Sequence, residues 1–155
     1  MPGPFGQKQF KGVKNMRIAV VDGQGGGIGK HIMERLRREM PPEVEFLALG
    51  TNALATSVIL RAGANEGATG ENAVIYNASR VDLILGPVSI LFPHAMMGEL
   101  TPAMAAALAT SPARKILLPL VRGPVELVGL RPEPLPHLIE ELVQRVKEYV
   151  AGRCC

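Results

Sequence analysis

Arg17-Ile18-Ala19-Val20-Val21-Asp22-Gly23-Gln24-Gly25-Gly26-Gly27-Ile28-Gly29-Lys30-His31 is the stretch that decides the fold. Its first six residues are a short apolar run ending in turn residues, the pattern of a strand buried on both faces. The glycines form a tight turn. Beyond them Ile28, Ile32, Leu36 and Met40 recur at every fourth position with Arg and Glu between, which predicts an amphipathic helix that Pro41-Pro42 stops. A strand, a glycine turn and a helix in that order open an α/β domain.

The pattern continues downstream. Val44 to Leu49 reads as a second strand, and Thr51 or Asn52 caps a helix that ends near Arg61 before Gly63. Asn65 to Ala68 is a short third strand, and Thr69-Gly70-Glu71-Asn72 opens a helix through Ala78, the hydroxyl and carboxylate being read as helix capping. Val81 to Leu85 is a fourth strand. Thr101-Pro102, a cap followed by proline at the first helical position, starts an alanine-rich helix to Ala109. Lys115 to Leu120 and Val125 to Leu130 are read as two further strands. A last helix from Leu135 carries Leu138, Leu142 and Val146 on one face. Alternating strands and helices imply right-handed parallel crossovers, so the expected architecture is a single Rossmann-like, doubly wound α/β domain over residues 16–151. In such a sheet the ligand lies beyond the carboxyl ends of the strands, where the order reverses; if the strand order is 3-2-1-4-5, the helix start at Thr69 to Asn72 and Thr51-Asn52 both face the adenosine end of a ligand.

Composition narrows the function. Of 155 residues 47% are hydrophobic and 20% charged, with no Trp, which suits a core of Val, Ile, Leu, Ala and Met between sheet and helices. The net charge of +3 comes from Lys8, Lys11 and Lys14 in a segment, residues 1–15, read as a flexible leader. The remainder is neutral, which argues against a nucleic-acid partner. Leu83 to Met97 is apolar but interrupted by Gly86, Pro87, Pro93 and His94, too short for a membrane span. With no signal peptide in view, a cytoplasmic location is expected. Cys154 and Cys155 lie in a C-terminal tail, residues 152–155, and cannot form a disulfide framework. No metal site is expected from them.

Five glycines in the seven positions from Gly23 to Gly29 are costly in backbone entropy. A ligand-free turn needs one or two; five suit a phosphate lying close to backbone N–H groups at a helix N-terminus. The spacing Gly23-x-x-x-Gly27-x-Gly29, with Ile28 between the last two, resembles the cofactor turn of the short-chain dehydrogenases. That resemblance implies NAD or NADP with its pyrophosphate near Gly27 to Gly29, and candidate contacts at Gly23, Gln24, Gly25, Gly26, Gly27, Ile28 and Gly29. Where NAD binders usually offer an acid to the ribose, at the end of the second strand, the chain has Gly50-Thr51-Asn52. NADP stays open there through Thr51, Asn52 and Arg61. Gly86-Pro87-Val88-Ser89, after the fourth strand, is expected to approach the nicotinamide side.

Tyr76-Asn77-Ala78-Ser79-Arg80 has the spacing of that family's Tyr-x-x-x-Lys, but with arginine for lysine and too early in the chain. Tyr76 is therefore read as a packing residue on its helix. Gly25 to His31 also resembles the variant phosphate loop of partitioning ATPases and nitrogenase reductase, with Lys30 as the phosphate lysine. Gly25 and His31 replace its signature lysine and its metal-holding hydroxyl. The alternatives to a dinucleotide are therefore a metal-independent ATP or ADP binder, a small oxidoreductase, or an interaction protein with a vestigial turn. His94, Glu99 and His137 are candidate acid–base groups, each expected to pack or cap a helix, with nothing placing two together. The apolar run Leu91 to Met97 is expected to mark a homodimer surface.

From Met16 to about Val150 the chain resembles a family of uncharacterised bacterial proteins common in anaerobic Gram-positives, a domain of unknown function. The phrases that carry it are Ile18 to Gly29, Leu49 to Thr56, Ala62 to Ala73 and Glu133 to Glu141. It implies a stand-alone Rossmann-like protein and brings no activity.

Overall fold

The computed structural model describes residues 16–152; the leader, Cys154 and Cys155 lie outside the described residues. Five strands, β1 (Arg17–Asp22), β2 (Glu45–Gly50), β3 (Glu66–Thr69), β4 (Leu83–Pro87) and β5 (Arg114–Leu118), form one sheet in the order β3-β2-β1-β4-β5. All neighbours are parallel, and the order reverses between β1 and β4. Helices α1 (Gly27–Glu39), α2 (Ala53–Ala62), α3 (Glu71–Ala78), α4 (Pro102–Thr110) and α5 (Leu135–Gly152) supply the flanking layers. The domain is therefore α/β, doubly wound and Rossmann-like.

Alternation along the central strands builds two cores, because successive strand residues point to opposite faces. Ile18 and Val20 of β1 join Ile32 and Leu36 of α1, Ile59 of α2, and Ile139, Leu142 and Val146 of α5. Ala19 and Val21 join Val74 of α3 and Met104 and Leu108 of α4. β1 is thus buried on both faces, as its continuous apolar run required. Polar contacts add orientation on the first face: Lys147 Nζ of α5 lies 2.7 Å from Glu39 Oε2 of α1, both nearly buried, while Arg35 pairs with Glu140.

Two expectations are corrected. Val125 to Leu130 forms no strand: residues 119–134 contain no strand or helix. β5 is the sheet edge, and this segment does not pair with it. Gly123 and Gly129 turn the chain at φ 99° and 91°, and Val125, Leu127, Val128 and Leu130 stand exposed. The cap of α3 is Gly70 and not a side chain. Thr69 instead donates its hydroxyl to Thr56 Oγ1 at 2.8 Å, tying β3 to α2. The other two caps are side chains of the expected kind. Asn52 accepts from Ala55 N on α2, and Thr101 accepts from Met104 N on α4 with Pro102 next to it.

Candidate functional site

The glycine turn leaves the carboxyl end of β1 and enters α1, so it lies at the end of the sheet where the strand order reverses. Asp22 builds it. Its side chain is buried and accepts from Gly23 N through Oδ1 and Gly29 N through Oδ2, both at 2.8 Å. One carboxyl therefore fastens the first and last glycines of the turn to the end of β1. Burial raises its pKa above the usual carboxyl value, opposed by the bonds from Gly29, Gly23 and Ile28, while the charge of Glu99 raises it further.

The glycines divide into those that the fold requires and those that it does not. A Cβ on Gly29 would stand 2.6 Å from Ile59 Cδ1 and 3.1 Å from Asp22 Cβ. One on Gly26, already at φ 73°, would meet Ala55 Cα at 2.9 Å, and one on Gly23 would meet Thr51 Oγ1 at 2.5 Å. These three let α1, α2 and the β4 loop close on the turn. Gly25 and Gly27 are different: neither has a positive φ, and a Cβ on either meets nothing within 4 Å. Both are exposed. Among the described residues no acceptor is found for their amides, as expected for Gly27 at the start of a helix.

Glu99 completes the site, in place of the packing or capping role expected of it from the sequence. Its Oε1 accepts from Thr51 Oγ1 at 2.6 Å, Asn52 Nδ2 at 2.8 Å and Gln24 N at 2.9 Å. Those bonds, the Thr51 hydroxyl first, hold its carboxyl below the usual value against a smaller opposing effect of burial. Asn52 Nδ2 also reaches Gln24 O at 3.0 Å, and Thr51 N donates to Asp22 O at 3.1 Å. Thr51, Asn52, Gly23 and Gln24, predicted separately, are thus brought together by a residue from the far side of the switch point.

The segment that delivers Glu99 is braced on itself. His94 N donates to Leu100 O at 2.7 Å, Gly98 N to His94 O at 3.0 Å and Leu100 N to Ala95 O at 3.1 Å. His94, Met96 and Met97 hold φ near 60°, a conformation that costs on the order of 1 kcal/mol or more per residue and persists only where surroundings dictate it. Leu91 to Met97 is accordingly a folded loop, not a flat apolar patch, and Met97 is its one strongly exposed large apolar side chain.

The remaining predicted residues make other contacts. Gly86 and Pro87 end β4 and pair with Leu117 and Leu118 of β5. A Cβ on Gly86 would stand 2.4 Å from Val21 O, so sheet packing demands that glycine. Tyr76 is 55% exposed, and the Arg80 guanidinium stacks 3.8 Å over its ring, so it is a surface residue and not a packing one. Lys30 pairs with Glu34 at 3.9 Å along the exposed side of α1. His137 is exposed beside Glu133. A groove of about 730 Å³ between β5, α5 and residues 129–133 includes no residue of the turn.

Among the described residues no three His, Cys, Asp or Glu side chains are grouped to hold a metal, and no helix is long and apolar enough to cross a membrane. The signal that could have found Glu99 is weak: a lone acid after a Met-Met-Gly turn becomes informative only once the strand order is known. No curated protein and no solved structure matches the chain. A family model matches residues 17–151, nearly all of the described domain, and the chain belongs to that family, the Domain of unknown function (DUF3842).

Proposed function

We propose that the protein binds a dinucleotide, NAD or NADP, with its pyrophosphate over the turn from Gly23 to Gly29. The observation that carries this reading is the pair Gly25 and Gly27, exposed glycines that neither backbone conformation nor packing requires. Glycine is the least favourable ordinary residue at such positions, unless something must approach the backbone closely. Their amides lie at the N-terminus of α1, where partial positive charge favours an anion. Thr51, Asn52 and Glu99 line the side of the turn facing β2. The described residues form one domain around this site, which fits a binding module, such as a nucleotide sensor or accessory protein, better than an enzyme with a separate substrate domain.

The test is thermal unfolding with NAD⁺, NADH, NADP⁺, NADPH, ATP and ADP. A ligand at about 100 times its Kd adds roughly 2.7 kcal/mol, readily seen as a raised melting temperature. A dinucleotide is expected to give that shift. A shift with ATP or ADP alone would replace the reading with a metal-independent phosphate loop, and no shift with any of the six would end it in favour of an interaction protein.

Self-association is proposed as well, now on residues 125–130 instead of Leu91 to Met97. Val125, Leu127, Val128 and Leu130 stand exposed there, and Gly129 to Arg131 line a groove against β5, the strand at the sheet edge. Sedimentation equilibrium is expected to give the mass of two chains, and the mass of one at high concentration would remove this proposal.

A further inference from the structure

The second strand ends in Gly50-Thr51-Asn52 and lacks the acid that dinucleotide-binding sheets usually place there for the ribose diol. A carboxylate nevertheless stands at that position. Glu99, arriving from the loop after β4, rests one oxygen on the Thr51 hydroxyl, the Asn52 carboxamide and the Gln24 amide. Three donors on Oε1 fix the plane of the carboxylate, and Oε2 accepts from no described residue. An ionised carboxylate only accepts hydrogen bonds, so its second oxygen suits a hydroxyl donor.

We infer that Glu99 selects the ribose: its Oε2 accepts from the 2′- and 3′-hydroxyls of an adenosine whose pyrophosphate lies on the glycine turn, so the site takes NAD and rejects NADP. The inference rests on the dinucleotide reading above and adds a choice that the reading leaves open.

A 2′-phosphate would bring a second negative charge against a carboxylate that cannot swing away, because its loop is braced and its near oxygen held. Nor does Arg61, the cation considered for that phosphate, reach it, and Lys30 is engaged elsewhere. Arg61 follows the Asn52 cap by nine residues, about 13 Å along α2, and its Nε lies within reach of Ser57 O. Lys30 lies beside Glu34 on α1.

The test is calorimetric titration of the full chain with NAD⁺ and NADP⁺, in the wild type and in Glu99→Gln. The amide keeps an acceptor for Thr51 and Asn52 while removing the charge, and melting curves of the free proteins verify that the variant folds. Wild type is expected to bind NAD⁺ at least about tenfold more tightly than NADP⁺, and Glu99→Gln to lose about tenfold for NAD⁺ and to narrow the ratio. Glu99→Asp, which withdraws the carboxylate by one methylene, is expected to weaken NAD⁺ while still disfavouring NADP⁺. Equal binding of the two cofactors by wild type, or a ratio that Glu99→Gln leaves unchanged, would overturn the inference and leave dinucleotide binding intact. Binding of neither cofactor by wild type would overturn both.

Discussion

Gly27→Val is expected to fold as well as the wild type and to bind the dinucleotide at least roughly 100-fold more weakly, the cost of losing two amide–phosphate bonds at about 1.5 kcal/mol each. The expectation follows from the space around the residue. A side chain on Gly27 meets nothing in the free protein, and its backbone is already helical. Valine there would instead stand where a phosphate must approach the amides. Gly25→Val should behave alike. The smaller change Gly27→Ala separates the two effects further: by restricting the unfolded chain it should stabilise the free protein by about 0.4–1 kcal/mol while weakening the ligand. Gly26→Ala is the control with opposite logic. Its Cβ would press on Ala55 Cα at a φ of 73°, and backbone cannot swing aside as a side-chain end can. That variant should lose about 1–3 kcal/mol of stability before any ligand is considered. Urea unfolding and cofactor titration of the four variants check the pattern. Undiminished binding by Gly27→Val would show that the open glycines serve no ligand.

The sheet was legible because its strands carry their own signal. Ile18 to Val21 and Phe46 to Leu49 are continuous apolar runs because helices cover both faces, and Asn52, Thr101 and Pro102 announce helix starts by chemistry local to the chain. Val125 to Leu130 carries the same kind of signal without the strand: its residues favour extended structure, but the chain bends at Gly123 and Gly129 and does not pair with the open edge of β5. The site was half legible. Clustered glycines mark a turn that something approaches, but the sequence does not tell Gly26 and Gly29, which serve α2, from Gly25 and Gly27, which do not. Glu99 was hidden because its partners are Gln24, Thr51 and Asn52, separated from it by 75, 48 and 47 positions. Only the crossover that returns β4 beside β1 makes them neighbours.

Asp22→Ala is expected to cost the free protein about 2–4 kcal/mol. Asp22 is 4% exposed and its carboxyl is the acceptor for the amides of Gly23 and Gly29, so its removal leaves buried donors without partners, at about 1–3 kcal/mol each. Relief of burying a charge offsets part of that loss, and the pH dependence measures how much. Burial raises the folded-state pKa of Asp22 above its ordinary value of 3.8, so the folded protein holds the proton more tightly than the unfolded chain does. The associated stability is fully present below the unfolded pKa and is lost as pH rises through the folded one. The gap between wild type and Asp22→Ala should therefore widen as pH falls from 7 toward 4, read by urea unfolding at each pH. A gap that narrows on acidification would mean that the three amides outweigh burial and hold the carboxylate ionised. The same linkage reaches the ligand. A phosphate on the turn adds negative charge near Asp22 and should raise its pKa again, so dinucleotide binding should take up protons and strengthen at lower pH. In Asp22→Asn, whose side chain cannot ionise, that part of the pH dependence should vanish, and its persistence would place the titrating group elsewhere.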